Sequence, residues 1–165
     1  MDPASTLVGL AEISLALAGF AAIVLVLATR SAALEPDTAA NIRVMVLNAV
    51  GSAFACLVGV AILALEVPTP LAWRLSSAFV LAGIVAASGL NQLLFLRHLE
   101  SPNLRLTAIW WSIAVVGCAI HLVNTLGVLG PPSFGLFFLG LVVLLSQAAA
   151  QFVHMVSTLI ARSAA

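Results

Sequence analysis

The chain has 165 residues, of which 63% are hydrophobic and 7% are charged, and its formal net charge is zero. An ordinary soluble domain carries about 25% charged residues, so this composition excludes a water-soluble globular fold and indicates a surface that faces lipid. The sequence has no lysine, which excludes a basic surface for nucleic acid.

Five apolar runs follow one another along the chain, at residues 6–28, 43–65, 71–96, 106–129 and 135–160. At about 1.5 Å per residue, each makes a helix of about 35–39 Å, enough to cross a hydrocarbon core of about 30 Å. Helix is predicted because unpaired backbone groups cost several kcal/mol each in lipid. The alternating pattern of transmembrane strands is absent. The predicted fold class is an all-α integral membrane bundle of five transmembrane helices, forming one domain over residues 1–165.

Proline-containing breaks separate the runs. Pro36 and Asp37 favour a helix start in the membrane interface, ahead of the second span. The later breaks lie at 67–70, 101–103 and 130–133. The first run is too long for a signal-peptide core and lacks a positively charged start, so no cleaved signal is expected.

The arginines predict the orientation. With five spans, five of the six arginines fall on one side of the membrane: Arg30, Arg43, Arg97, Arg105 and Arg162. Only Arg74 falls on the other side. The positive-inside rule then places the N-terminus outside and the C-terminus in the cytoplasm. The three indoles are near span ends and are expected at the membrane interface: Trp73, Trp110 and Trp111.

Glu12 is the one acidic residue well inside a span. Its neighbours at steps of three and four residues are Gly9, Ala16 and Gly19, a small face that another helix can approach closely. Because a charged residue in a span usually faces the protein interior, Glu12 is expected to point into the bundle.

His121 on the fourth span is predicted at a depth similar to that of Glu12, with Asn124 and Thr125 on the same helical face. Two interpretations stay open. The three residues Glu12, His121 and Asn124 form a proton-responsive layer toward the outside, or they hold helices together by hydrogen bonds.

A second polar layer is predicted toward the cytoplasm. On the fifth span Gln147, Gln151, His154 and Thr158 share one helical face. The second and third spans add three amide side chains at this level: Asn48, Asn91 and Gln92. This layer indicates either a hydrophilic cavity open to the cytoplasm or hydrogen bonds between helices, worth about 0.6 kcal/mol each.

No catalytic signature is present. The sequence lacks the common zinc-protease, nucleophile-elbow, phosphate-loop and CxxC motifs, so an enzyme is not predicted and no metal or cofactor is expected. Cys56 and Cys118 fall inside apolar runs and are predicted to be small core residues.

Several stretches resemble a group of small bacterial membrane proteins of uncharacterised activity. They are Ala11-Glu12-Ile13-Ser14 with Ala18-Gly19-Phe20, Trp73-Arg74-Leu75-Ser76-Ser77, Pro132-Ser133-Phe134-Gly135 and Gln151-Phe152-Val153. The resemblance covers most of the chain. It implies a multi-pass protein of the bacterial inner membrane and no particular substrate or cofactor.

Two functions are compatible with these features. The first is a small channel or transporter for protons or a small solute, formed by a homo-oligomer in the lipid bilayer. The alternative is a structural or accessory subunit that binds another membrane protein. A measurable flux in liposomes would favour the first, and a fixed partner in native membranes would favour the second.

Overall fold

The computed structural model describes residues 2–31, 36–94 and 104–163, with side chains described at 2–26, 42–87, 108–158 and 160–161. The described residues form five α-helices: α1 Pro3–Ser31, α2 Pro36–Ala64, α3 Thr69–Leu94, α4 Leu104–Leu126 and α5 Phe134–Ser163. Each contains a segment long and apolar enough to cross a membrane. The predicted all-α fold with five such helices is confirmed.

Local signals explain where the helices begin and end. Asp2 caps α1, since its carboxylate accepts from the backbone N–H of Ala4 at 3.3 Å and of Ser5 at 3.0 Å. The α2 helix begins at Pro36, as predicted. The α4 helix ends before the predicted 129, because Gly127 adopts a left-handed φ of 70° and closes the last turn in a glycine cap.

The α5 helix is the centre of the bundle and packs against each of the other four helices. Helices α2, α3, α4 and α5 form a ring in which consecutive helices are neighbours and α5 returns to α2. The α1 helix lies against α2 and α5, and within the described residues its backbone does not approach α3 or α4. The bundle is therefore a four-helix ring with a fifth helix on its α2–α5 edge.

Contacts between helix ends fix the direction of each helix. The Leu7 side chain near the start of α1 lies close to Gly59 near the end of α2, and Phe137 near the start of α5 lies there too. Ser77 near the start of α3 is hydrogen-bonded to Asn124 near the end of α4. We call the end of the bundle where α1, α3 and α5 begin the N-side, and the opposite end the C-side.

Two apolar clusters hold the bundle together. The N-side cluster is the larger, and its biggest buried members are Leu7, Trp73, Phe137 and Leu141. The C-side cluster joins α1, α2 and α5 through Ala21, Ile42, Met45, Ala49, Ala148 and Met155. The described members come from these three helices.

Trp73 corrects one expectation from the sequence. It was expected at the lipid interface, yet only 2% of its surface is exposed. Its ring centroid lies 5.1 Å from that of Phe134 and 5.7 Å from that of Phe137. The start of α3 turns this indole toward α5, where aromatic packing outweighs an interfacial position. Cys56 is fully buried in the same cluster, in agreement with its predicted role.

Candidate functional site

A hydrogen-bonded cluster joins α3, α4 and the start of α5 near the N-side. The Asn124 amide nitrogen donates to the Ser77 hydroxyl at 2.9 Å and to the Ser133 carbonyl at 3.2 Å. The Asn124 amide oxygen accepts from the Ser133 backbone N–H at 2.8 Å. Ser133 in turn caps α5, since its hydroxyl accepts from the Leu136 N–H at 3.4 Å. Asn124 therefore fixes the start of α5 against α3 and α4.

His121 lies one helical turn deeper than Asn124 and is fully buried. Its Nδ1 is 3.5 Å from the Ser77 hydroxyl oxygen, the outer limit of a hydrogen bond. Its ring packs edge-on against Phe137, with centroids 5.7 Å apart. Gly140 also lies against the ring, and a Cβ there would be 2.5 Å from the His121 Nε2. The absence of a side chain at Gly140 makes the space that this imidazole occupies.

Two close contacts define the register between α4 and α5. His121 lies against Gly140, and Leu144 lies against Gly117, where a Cβ would be 2.9 Å from the Leu144 Cδ2. The helices are antiparallel, so further steps of three and four residues along both place Gln147 at the level of Ala114, and Gln151 at the level of Trp110. A ring contact supports this register, because the centroids of Trp110 and His154 are 6.5 Å apart.

We call this strip of contacts the α4–α5 seam. Its members on α4 are Trp110, Ala114, Gly117 and His121, and its members on α5 are Gly140, Leu144, Gln147 and Gln151. From the N-side inward the seam is polar at His121, apolar at Gly117 and Leu144, and polar again at the two glutamines. About 10 Å of helix separates the levels of Gly140 and Gln147, at 1.5 Å per residue.

Polar atoms in the seam lack partners. Among the described residues, four buried side-chain atoms have no hydrogen bond, and every one belongs to the seam: Trp110 Nε1, His121 Nε2, Gln147 Oε1 and Gln151 Oε1. A buried polar atom without a partner costs about 1–3 kcal/mol, and such atoms in native proteins usually contact water or a ligand. Among the described residues, the unpartnered buried polar side-chain atoms are therefore concentrated in the seam.

Leu144 separates the two polar stretches. It is 7% exposed, and its side chain fills the gap left by Gly117. A leucine is apolar, so an apolar level lies between the two polar stretches of the seam.

Glu12 does not point into the bundle, so that expectation was wrong. Its side chain is exposed, whereas the packed face of α1 carries Leu10, Ser14 and Ala21. At 100° per residue, Glu12 is about 160–180° around the helix from those three residues. The sequence indicated the small face of α1 correctly, but that face is not the one that packs on α2 and α5.

The structure also separates Glu12 from His121, which are predicted to form one layer. The α1 helix does not approach α4 within the described residues, and His121 lies instead with Asn124 and Ser77. Thr125 donates its hydroxyl to the His121 carbonyl at 2.8 Å, a bond within α4. A hydrogen-bonded layer thus exists near the N-side, but its members come from α3, α4 and α5.

Some members of the second polar layer, predicted toward the cytoplasm, are buried near the C-side, and others are not. Gln147 and Gln151 are buried, His154 is exposed beside Trp110, and Asn48 on α2 is half-buried. The side chains of Asn91 and Gln92 lie outside the described residues. Thr158 donates its hydroxyl to the His154 carbonyl at 2.9 Å within α5.

Five residues of these clusters are not predicted from the sequence: Ser77, Trp110, Gly117, Ser133 and Gly140. Serine and glycine are common in membrane helices and give little signal by themselves. One signal was available, since Trp110, Gly117 and Asn124 are spaced by seven residues and His121 follows Gly117 by four. This spacing marks one helical face, and its mixture of polar and small residues distinguishes it from a face turned to lipid.

Comparison of the chain with models of protein families, with curated proteins and with solved structures finds no match.

Proposed function

We propose that this protein is a small membrane channel or transporter that passes protons or a small uncharged solute along the α4–α5 seam. The observation that carries the proposal is the set of four unpartnered polar atoms in the seam. The proposed location is the bacterial inner membrane, with the N-side facing outward.

The chemistry of the seam narrows the substrate. Its polar groups are an imidazole, an indole N–H and two amides, all of which hydrogen-bond without a permanent charge. None of the eight seam residues is an aspartate, glutamate, lysine or arginine. A desolvated ion would find no opposite charge there, so the seam suits a small neutral molecule with donors and acceptors, or a proton passed along a hydrogen-bonded chain that includes the His121 imidazole.

His121 gives the path a group that can exchange protons. One ring nitrogen faces Ser77 and the other is unpartnered. An imidazole accepts a proton on one nitrogen and releases one from the other. Waters would connect Nε2 toward the glutamines once the His121 ring moves away from Gly140 and the Leu144 side chain moves aside.

Flux into liposomes tests the proposal. Purified full-length chain is reconstituted, and proton entry is followed with an enclosed pH-sensitive dye, while glycerol entry is followed by light scattering. For protons, for glycerol or for both, the flux is expected to exceed that of empty liposomes. Gln147→Leu and Gln151→Leu should each reduce it by about tenfold or more, the effect of removing a hydrogen bond of about 1.4 kcal/mol from the path.

Two further variants make the test specific. Leu144→Ala should raise the flux because it widens the apolar constriction. Leu139→Ala is the matched control on the same helix, since Leu139 is 48% exposed on the outside of the bundle, and it should leave the flux unchanged. Wild-type liposomes that leak no faster than empty ones, or seam variants that match the control, would reject the proposal.

The outward position of Glu12 favours a second candidate function. A carboxyl group on the outer face of a membrane bundle suits a structural or accessory subunit whose partner covers that face. Purification from native membranes tests this candidate. A single partner protein present in fixed stoichiometry would support it, and a chain that purifies without one would count against it.

A further inference from the structure

The outer face of α1 carries a carboxyl group in an unusual setting. Glu12 is exposed within the membrane-spanning segment Pro3–Val26. Its neighbours along this face are small, and a Cβ added at Gly9 or Gly19 would meet nothing within 4 Å. The face is therefore both open and flat enough for another helix to approach.

The depth of Glu12 makes exposure to lipid costly. Nine residues separate it from the start of α1 at Pro3, which corresponds to about 14 Å of helix. A carboxylate near the bilayer centre costs about 2.5–3.5 kcal/mol or more, and its short side chain reaches the interface less easily than arginine does. Such a residue is normally covered by protein. Within the described residues of its own chain, Glu12 makes no hydrogen bond or ion pair.

Arg74 supplies the complementary charge on the same side of the membrane. The described side chains include two arginines, of which Arg43 lies toward the C-side and Arg74 toward the N-side. Arg74 is exposed, and its guanidinium lies beside Gly127 at the end of α4. It is five residues from the start of α3, or about 8 Å along that helix. The difference in depth from Glu12 is about 6 Å, which an extended arginine side chain spans.

Glu12 and Arg74 lie on opposite edges of one protomer. The α1 helix covers the α2–α5 edge, whereas Arg74 lies where α3 meets the end of α4. They therefore cannot pair within one chain, and two copies placed side by side in the same orientation bring the Glu12 edge of one to the Arg74 edge of the next.

We propose that the chain assembles with further copies of itself head to tail, with Glu12 of each protomer paired to Arg74 of its neighbour. The contact is heterologous, so repetition closes into a ring when the rotation between protomers allows it. The small residues around Glu12 let α1 approach α3 of the neighbour closely. This inference is independent of the α4–α5 seam, because assembly is measured without any flux.

Charge exchange tests the pairing. The mass of the wild-type complex is measured in detergent, and Glu12→Arg and Arg74→Glu are measured alone and together. Each single variant should weaken self-association by about 100-fold or more, the loss expected when one partner of a buried ion pair is removed. The double variant restores opposite charges and should recover the oligomer, which also shows that the chain still folds.

Disulfide trapping tests the geometry. Gly19 follows Glu12 on the same face of α1, and Val85, which is 70% exposed, follows Arg74 on the same face of α3. Both lie about 24 Å along their helices from Pro3 and Thr69. In a chain with Cys56→Ala and Cys118→Ala, co-expressed Gly19→Cys and Val85→Cys chains should form a mixed disulfide dimer.

Three results would overturn the inference. The first is a wild-type chain that stays monomeric, which would assign the face to a different protein. The second is a disulfide between two Gly19→Cys chains in preference to the mixed one, which would indicate a symmetric contact of α1 with α1. The third is a pair of single-charge variants that assemble as well as the wild type. A monomer that still transports would reject the proposed self-assembly and keep the proposed function. An oligomer without flux would keep the self-assembly and reject the proposed function.

Discussion

Gly140 provides the sharpest test of how α4 and α5 pack. An alanine at this position would place its Cβ 2.5 Å from the His121 Nε2 and 2.8 Å from the Cδ2 and Cε1 atoms. Favourable separations between such atoms are about 3.5–4.0 Å, so the ring or the helix must move by about 1 Å. Unlike the Leu144 side chain, an imidazole ring cannot bend, and Phe137 also packs against this ring.

The expected cost follows from this geometry. Forcing an extra methyl group into a packed interior costs about 1–3 kcal/mol. Replacing glycine by alanine in a helix returns about 0.5–1 kcal/mol of backbone entropy. Gly140→Ala should therefore lower the free energy of unfolding by about 0.5–2 kcal/mol, measured by denaturant titration in mixed lipid–detergent micelles.

A double-mutant cycle separates the clash from other effects. In a His121→Ala background the ring is gone, so the added methyl group should be tolerated, with a coupling energy of about 1 kcal/mol or more. Gly135→Ala is the matched control, since it lies on the same helix and its Cβ would meet nothing within 4 Å. A Gly140→Ala protein as stable as this control, or a coupling energy near zero, would refute the packing described for His121.

Two further predictions concern the ends of helices. Asn124→Ala removes three hydrogen bonds and leaves the Ser133 N–H without its partner. The free energy of unfolding should therefore fall by about 2–3 kcal/mol. Leu122→Ala on the exposed side of α4 is the control, and an equal loss of stability in that variant would contradict the role of Asn124. Hydrogen bonds from the Ser5 and Ala4 backbone N–H groups hold the pKa of Asp2 below 3.8, so its capping contribution should be complete above pH 3.8 and be lost as the pH falls through this lowered pKa. The protection of the first-turn amides against hydrogen exchange, taken relative to the intrinsic rate at each pH and measured by NMR in micelles, should fall in that acidic range for the wild type. The Asp2→Asn protein, which keeps a capping side chain without a charge, should show no such step.

Periodicity and length predicted the helices well because both are local properties. Any apolar segment of more than about 20 residues must satisfy its backbone internally in lipid, and the α-helix does so without help from the rest of the chain. The start of α2 at Pro36 was predicted for the same reason, since proline at the first helical position acts locally. The end of α4 was placed slightly too late, because Val128 and Leu129 are apolar and hydropathy does not register the left-handed turn at Gly127.

The orientation of each helix about its own axis was predicted less well. Gln147 and Gln151 were placed on a polar face of α5, and the structure buries both in the seam. Glu12 was placed inside on the argument that a charged residue avoids lipid, and it lies outside. Polar and charged side chains avoid lipid in both cases, but the sequence of one chain does not reveal whether the protein that covers them belongs to that chain or to another.

The sequence by itself determined that this is an all-helical chain with five segments able to span a membrane, and which residues are polar at each depth along them. Only the tertiary structure decided which of those residues meet. It turned Glu12 away from the bundle, brought His121 to Ser77, Asn124 and Gly140, and buried the glutamines of α5. The physical reason is that a helix forms through bonds between residues four apart, whereas its rotation and neighbours depend on side-chain shape across the whole bundle. A missing methyl group, as at Gly140, is enough to decide where an imidazole lies.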